Sequence, residues 1–251
     1  MKAEINDIKV YYEDQGQGEP VIFIHGWLDD SSVWQPQVEA LAGGHRVIVY
    51  DHRGHGQSDK PKGSYSMKML ANDLHALIQK LDLEKVTLVG HSMGAMTAML
   101  FTLDHPGQVA RLVLVGAAAR LPSTMRAGNL LRHIIPYRKF IEMAVKSGYH
   151  LPSEQVLQNG LKMALSTPKY VAYACYDEFT GKYDVRYRVA KIKAPTLVVV
   201  GEQDRNTPVA LSRFLSSEIS GSRLQVIAGC GHEVMVEKPD EFKHVLAEFL
   251  E

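Results

Sequence analysis

Short apolar runs of strand length alternate with amphipathic helical patterns along most of the chain. Seven segments have the β-branched composition of strands: Ile5–Tyr12, Val21–Ile24, Arg46–Tyr50, Val86–Val89, Leu112–Val115, Thr196–Val200 and Leu224–Ile227. Most of the central ones are apolar throughout, which is typical of strands that are covered on both faces. The alternation therefore predicts an α/β fold with a mostly parallel sheet and helices on both of its faces.

The sequence also predicts where the helices between these strands begin and end. We expect Ser32 to cap a helix that ends at Gly43-Gly44. Ser66 is expected to cap a second helix, whose apolar positions keep a period of 3.6 residues. The last helix is predicted to begin at Pro239.

The alternation fails between about residues 118 and 190. This segment predicts short helices and no strand; the helices are Met125–Ile135, Lys139–Lys146, Glu154–Leu165 and Pro168–Phe179. We interpret residues 118–190 as a helical cap inserted between two strands, and residues 1–117 and 191–251 as the core. We expect this cap to be a lid over the edge of the sheet and not an insertion without a role in binding, because binding sites in open α/β sheets lie beyond the carboxyl ends of the strands.

Composition excludes several classes of protein. With 251 residues, 45% of them hydrophobic, the chain can bury a sizeable core, so disorder is excluded. Lys+Arg and Asp+Glu balance at 28 each and form no basic tract, which argues against nucleic-acid binding. The first residues are not typical of a signal peptide, and the longest weakly polar run, Met93–Leu103, is too short to span a bilayer.

Cysteine usage fits the same interpretation. Cys175 and Cys230 are far apart in the chain, which excludes a disulfide framework or a zinc ribbon. We expect two reduced, buried thiols, and a single disulfide between Cys175 and Cys230 is the alternative. We expect a cytoplasmic protein without a nucleic-acid or membrane partner.

The segment Gly90-His91-Ser92-Met93-Gly94 joins a predicted strand to a predicted apolar helix. In so tight a turn the central residue takes a strained backbone conformation, and the flanking glycines avoid clashes of a Cβ atom. The turn would expose the Ser92 hydroxyl at a helix N-terminus, where a developing anion is stabilised. A simple helix-capping serine is the alternative.

A serine nucleophile needs a base and an acid that orients the base. Of 11 histidines, His232 is the best placed, because it follows the last predicted strand in a glycine-rich loop. Asp204 follows the strand Thr196–Val200 and is favoured over Glu202, which comes sooner after the strand. Asp204 and His232 both follow strand ends at the carboxyl edge of the sheet, and Ser92 lies at the same edge.

Two backbone amides could form an oxyanion hole. His25-Gly26-Trp27 directly follows a strand, and Gly26 lets the chain turn so that the Trp27 amide faces the site. The Met93 amide opens the helix after Ser92 and supplies the second donor. We expect His25 to brace this loop and take no part in the chemistry.

Five motifs in the same order resemble the α/β-hydrolase superfamily. These are His25-Gly26-Trp27, the segment Asp51-His52-Arg53-Gly54-His55-Gly56-Gln57-Ser58-Asp59, the Ser92 turn, Gly201-Glu202-Gln203-Asp204 and Gly231-His232. The resemblance covers the whole chain except residues 118–190. It implies an eight-stranded sheet and a cap domain, with Ser92 as nucleophile, Asp204 as acid and His232 as base.

The resemblance also assigns a structural role to the second motif. Asp51 and Arg53 would brace the loops, and Gly54 and Gly56 would permit the turn. A phosphate cradle, or an H-x-x-H metal site at His52 and His55, is the disfavoured alternative. By the same resemblance, the single Gly26 before Trp27 implies that bulky tertiary-alcohol esters are not the substrates. A serine nucleophile likewise sets the chain apart from the dehalogenase and epoxide-hydrolase branches, which carry an aspartate there.

These features predict a serine hydrolase that cleaves carboxylic esters of small to moderate acyl groups. Its partner is a small-molecule ester or related acyl substrate, and the chemistry calls for no cofactor and no metal. The expected substrate-binding residues are Trp27, Ile134, Tyr137, Phe140 and Tyr173, with Met125, Leu130, Leu131, Ile135 and Met143 as further candidates. Carbon–carbon bond hydrolysis, lactone opening, perhydrolysis as in cofactor-free haloperoxidases, and a slow-turnover receptor are the alternatives.

Overall fold

A single eight-stranded sheet organises the molecule. The computed structural model describes residues 1–122, 132 and 134–251. Its strands are β1 Lys2–Ile5, β2 Ile8–Gln15, β3 Pro20–Ile24, β4 Arg46–Tyr50, β5 Val86–His91, β6 Val109–Val115, β7 Thr196–Gly201 and β8 Arg223–Ile227. They lie in the order β1-β2-β4-β3-β5-β6-β7-β8, antiparallel for β1 and β2 and parallel from β4 to β8. The predicted α/β fold and the eight strands are confirmed.

Nine α-helices are described in the same part of the chain. They are α1 Gln35–Leu41, α2 Met67–Lys80, α3 Met93–Asp104, α4 Tyr137–Gly148, α5 Glu154–Ser166, α6 Lys169–Asp177, α7 Val209–Glu218, α8 Val234–Glu237 and α9 Pro239–Leu250. No helix of the described residues is long and apolar enough to cross a bilayer.

Alternate side chains of each central strand enter two separate cores, one on each face of the sheet. In β3, Ile22 and Ile24 belong to the core that includes residues of α2, α3 and α7, whereas Val21 and Phe23 belong to the core that includes residues of α1 and α9. All four side chains are at most 1% exposed. Burial on both faces explains why these strands are continuous apolar runs.

Two local predictions were wrong. The predicted strand Ile5–Tyr12 is a hairpin of β1 and β2, because Asn6 (φ 44°) and Asp7 (φ 64°) form a two-residue turn with both φ angles positive. The cap of the first helix is Asp30, not Ser32: its side chain accepts a hydrogen bond from the Ser32 amide and starts a short 3₁₀ helix ahead of α1.

The predicted starts of two other helices are confirmed. The Ser66 hydroxyl accepts a hydrogen bond from the Met69 amide at the start of α2 (3.1 Å), and α9 begins at Pro239. Pro168, predicted as the first helical residue, instead directly precedes α6. A π-helical turn, Glu178–Lys182, extends α6 beyond the predicted end at Phe179.

Between the end of β6 and the start of β7, the described residues contain helices and no strand. We refer to residues 118–190 as the helical insertion. α4, α5 and α6 overlap three of the predicted helices, whereas the predicted helix Met125–Ile135 lies largely outside the described residues. Cys175 and Cys230 are both free and buried.

Candidate active site

Ser92 lies in a strained turn between β5 and α3. Its backbone has φ 51° and ψ −114°, which few residues adopt outside functional turns. A Cβ atom at Gly90 would lie 2.6 Å from the Gly94 carbonyl oxygen, and one at Gly94 would lie 2.2 Å from the Ile24 carbonyl oxygen. Both glycines are therefore required sterically. The Ser92 amide donates to the Val115 carbonyl (2.9 Å), which ties the turn to the end of β6.

Asp204 and His232 follow the neighbouring strands β7 and β8 and meet beyond their ends. His232 Nδ1 lies 2.7 Å from Asp204 Oδ2, and the two residues are 4% and 5% exposed respectively. Glu202, the other candidate acid, is exposed and accepts a hydrogen bond from the Gln203 side chain. The structure thus brings Asp204, and not Glu202, to the imidazole.

Thr207 completes the environment of the Asp204 carboxylate, and the sequence interpretation missed it. Its amide donates to Asp204 Oδ1 and its hydroxyl to Oδ2 (2.8 and 2.7 Å), while the Asn206 amide donates to Oδ1 (2.8 Å). An aspartate that accepts from amides two and three residues ahead is a known turn motif, so the run Asp204-Arg205-Asn206-Thr207 carried this signal.

The electrostatics of the pair favour an ionised carboxylate. Burial by itself raises the pKa of Asp204, but His232 and the hydrogen bonds from Thr207 outweigh it and lower the pKa below its ordinary value. Burial lowers the pKa of His232, yet the Asp204 carboxylate opposes this and the net shift is upward. The carboxylate therefore stabilises the protonated imidazole, as a general base requires.

Gly116 is a second residue that the sequence interpretation missed. It follows β6 with φ +54°, and a Cβ atom there would lie 2.9 Å from both Cε1 and Nδ1 of His232. The imidazole thus rests against a position where no side chain fits. A glycine directly after a sheet strand was the available signal.

The predicted oxyanion donors lie after two adjacent strands. β3 and β5 are parallel neighbours with Ile24 opposite Gly90, so the segments carrying Trp27 and Met93 leave the sheet side by side. Met93 is the first residue of α3, where helix N–H groups point outward and favour a negative charge. This arrangement is consistent with two amide donors near Ser92.

Ser92 and His232 line a common cavity of about 290 Å³. Trp27 and Phe140 are on its wall, as are further residues that were not predicted to bind substrate: Met96, Leu121, Tyr149, Tyr176 and Phe179. Met143, a secondary candidate, also lines it. The wall therefore combines the sheet edge with the helical insertion.

The structure does not place the other three predicted substrate-binding residues among the described wall residues. Ile134 is 71% exposed. The Tyr137 hydroxyl donates to the Thr167 carbonyl, and the Tyr173 hydroxyl donates to the Arg132 carbonyl (both 3.0 Å). These two tyrosines pack within the helical insertion because their hydroxyls find backbone acceptors there. The candidates Met125, Leu130 and Leu131 lie outside the described residues.

The helical insertion is attached to the site at two points. The Trp27 indole donates to the Ala172 carbonyl of α6 (3.0 Å), and its ring lies 5.1 Å from that of Tyr176. At the end of α4, the Gly148 carbonyl accepts from the His232 amide (2.7 Å). The insertion therefore holds the loop that carries His232 as well as lining the cavity.

The Asp51–Asp59 segment has the bracing contacts that the resemblance implied. Asp51 accepts hydrogen bonds from the Ser31 and Gln57 amides (2.7 and 2.6 Å), and Arg53 forms a buried ion pair with Asp73. Gly54 and Gly56 both have positive φ angles, of 84° and 46°. In the preceding loop, the His25 ring donates to the Gly26 carbonyl and accepts from the His52 amide, so it braces the chain.

Comparison with known proteins agrees with this architecture. Residues 19–138 match the family model described as the alpha/beta hydrolase fold. The chain is 32% identical to a non-heme chloroperoxidase of Kitasatospora aureofaciens, over 97% of this chain and 96% of that protein. This chain belongs to the α/β-hydrolase superfamily. It is accordingly an enzyme of that superfamily.

Solved structures of α/β-hydrolases with different activities superpose on the whole chain. An esterase from Exiguobacterium antarcticum has a TM-score of 0.91 at 26% identity, over 97% of this chain and 96% of that one. The enol-lactonase from Burkholderia xenovorans LB400 also has a TM-score of 0.91 at 26% identity, over 100% and 99%. The family is therefore shown, whereas the substrate is a separate question.

Proposed function

We propose that this α/β-hydrolase cleaves carboxylic esters of small to moderate acyl groups through an acyl-enzyme on Ser92. The observation that carries the proposal is that Ser92, in its strained turn, and His232, paired with Asp204, line one cavity. A serine held in such a turn and a buried, carboxylate-paired imidazole are the parts that nucleophilic acyl transfer needs.

The reaction proceeds in two halves. Ser92 Oγ attacks the ester carbonyl carbon while His232 Nε2 takes the hydroxyl proton, and the carbonyl oxygen becomes an oxyanion. The amides of Trp27 and Met93 stabilise that oxyanion, each by roughly 3 kcal/mol. The tetrahedral intermediate collapses, His232 returns the proton to the leaving alcohol, and water then repeats the sequence on the acyl-enzyme.

Cavity size and lining indicate the acyl group. A volume of about 290 Å³ is at the small end for ligand sites, which span about 300–1,000 Å³. Aromatic side chains from both parts of the wall, Trp27, Phe140, Tyr176 and Phe179, form one contiguous cluster with ring centroids 5.1 to 6.2 Å from Trp27. Such a wall suits an apolar acyl group of limited length.

The names of similar proteins support two related activities as second candidates. One relative is named a chloroperoxidase and one structural neighbour an enol-lactonase, so perhydrolysis of short acids and lactone opening use parts that this site also has. Carbon–carbon bond hydrolysis and a slow-turnover receptor remain further alternatives. A peroxide-dependent bromination assay and a lactone panel separate the first two from ester hydrolysis.

The decisive experiment is hydrolysis of p-nitrophenyl esters from acetyl to dodecanoyl, with Ser92→Ala in parallel. We expect hydrolysis that falls off at long chains and is abolished in the variant. A fluorophosphonate that labels Ser92 without ester turnover would assign the competent triad to another substrate. Absence of both labelling and turnover would support the receptor.

A further inference from the structure

Three unpartnered acceptor atoms converge in the wall of the cavity. They are Asp29 Oδ2, His91 Nδ1 and Glu233 Oε2, which we call the acceptor cluster. All are buried without a hydrogen-bond partner among the described residues, and they lie within 4.8 Å of one another. His91 Nδ1 is 3.6 Å from Asp29 Oδ2 and 3.9 Å from Glu233 Oε2, which is too long for hydrogen bonds.

The tautomer of His91 is fixed by its other nitrogen. His91 Nε2 lies 3.1 Å from the His232 carbonyl oxygen, and a carbonyl can only accept a hydrogen bond. Nε2 therefore carries the proton, and Nδ1 of the neutral ring presents a lone pair. The His91 side chain is 1% exposed, so water does not reach this ring freely. No described side chain donates to these three atoms, and burial beside Asp29 raises the pKa of Glu233 well above its ordinary value, so a proton is the cation that a metal ion would have to displace.

The three residues are held by separate rigid parts of the fold. Asp29 follows β3, His91 ends β5, and Glu233 follows His232 at the start of α8. A Cβ atom at Gly26 would lie 2.7 Å from both Asp29 Oδ2 and His91 Nδ1, so this glycine leaves room for the two side chains to approach. Buried acceptors that converge in this way need a positive charge or a donor between them.

We propose that Asp29, His91 and Glu233 bind a divalent first-row metal ion of the Zn²⁺ type in the wall of the catalytic cavity. One imidazole nitrogen and two carboxylate oxygens are a donor set that Zn²⁺ takes. The in-plane point equidistant from the three atoms lies roughly 2.4 Å or less from each, and an ion displaced toward a fourth ligand lies farther away. Since Zn²⁺ bonds are about 2.0–2.2 Å, the ligands need to close by at least a few tenths of an ångström.

The position of the cluster gives such an ion a consequence for substrate choice. Asp29, His91 and Glu233 all line the cavity that holds Ser92. Three protein ligands leave a fourth position open, and we place that position toward the cavity because all three residues line it. The ion would take a carboxylate or carbonyl oxygen of a bound substrate, and so select acyl compounds that carry a second oxygen group. Metal binding itself does not depend on the proposed ester hydrolysis.

The test is calorimetric titration of Zn²⁺ into the metal-stripped full-length protein near neutral pH. We expect one equivalent to bind, with affinity reduced at least tenfold in Asp29→Asn and Glu233→Gln. Ser92→Ala and Asp240→Asn are matched controls that should bind as the wild type does, since Asp240 has a 92% exposed side chain. Thermal unfolding without metal checks that each variant is folded.

Two further measurements locate the ion. The stacked rings of His75 and His105, with centroids 4.0 Å apart, offer an alternative Zn²⁺ site away from the acceptor cluster. If the ion binds at the acceptor cluster, His75→Gln must leave the Zn²⁺ affinity unchanged. Co²⁺ substitution should give visible absorption of a nitrogen- and oxygen-ligated centre that Glu233→Gln abolishes. No saturable binding up to about millimolar Zn²⁺, or equal affinity in Asp29→Asn and Glu233→Gln, would overturn the proposal and leave a proton as the shared cation.

Discussion

Replacing Gly116 by alanine perturbs the imidazole of His232 without removing any polar group. The new Cβ atom would lie 2.9 Å from Cε1 and Nδ1 of the ring, whereas ordinary van der Waals contacts are at 3.4–4 Å. The ring must therefore retreat by about half an ångström. Because Nδ1 is 2.7 Å from Asp204 Oδ2, that movement alters the pair on which general base catalysis depends.

Two magnitudes follow from this geometry. The φ of +54° at residue 116 costs an alanine about 1–2 kcal/mol, which lowers the melting temperature by about 2–8 °C in a protein of this size. A misplacement of about 1 Å costs about 100-fold in rate, so half of that should cost about tenfold in kcat, or about 1.4 kcal/mol.

Gly221→Ala is the matched control. Gly221 has φ +73°, and a Cβ atom there would meet no heavy atom within 4 Å, so it carries the same backbone strain without the contact. The assay is kcat on the best p-nitrophenyl ester, or the rate of fluorophosphonate labelling, together with the melting temperature. The reasoning is refuted if Gly116→Ala keeps its kcat within about twofold, or if both variants lose the same activity.

Three other predictions test the pair and the loops. Asp204→Asn should lower kcat by about 10⁴-fold in the same assay with the melting temperature nearly kept, because the amide no longer selects the Nδ1–H tautomer of His232; a loss below tenfold would contradict the assignment. In the wild type, kcat/KM should fall as pH drops through a His232 pKa above its ordinary value. In Asp204→Asn this acid limb should move to lower pH, since burial is then opposed only by the weaker effects of Asp29 and Glu237 on the His232 pKa. Arg53→Met should cost about 3–5 kcal/mol in urea unfolding because it leaves Asp73 buried without its cation, whereas Arg186→Met, at an exposed ion pair, should leave the free energy of unfolding nearly unchanged.

The sequence interpretation was strongest where the signal is local and weakest where contacts cross the sheet. The Asn6-Asp7 turn was overlooked because apolar residues continue on both sides of it, although Asn and Asp tolerate positive φ angles. On the cavity wall, Phe140 was predicted and Tyr176 was not. Aromatic residues at helical spacing look alike in sequence, and only the packing of the insertion decides which of them face Ser92.

The sequence by itself determined the α/β fold class and the candidate residues Ser92, Asp204 and His232. Strand periodicity, glycine spacing and the order of strand ends act over a few residues, so they can be recognised without coordinates. Only the tertiary structure decided that Thr207 holds the carboxylate and Gly116 the ring. It alone also brought together the acceptor cluster, whose three residues are separated by 62 and 142 positions, because side-chain directions depend on how whole elements pack.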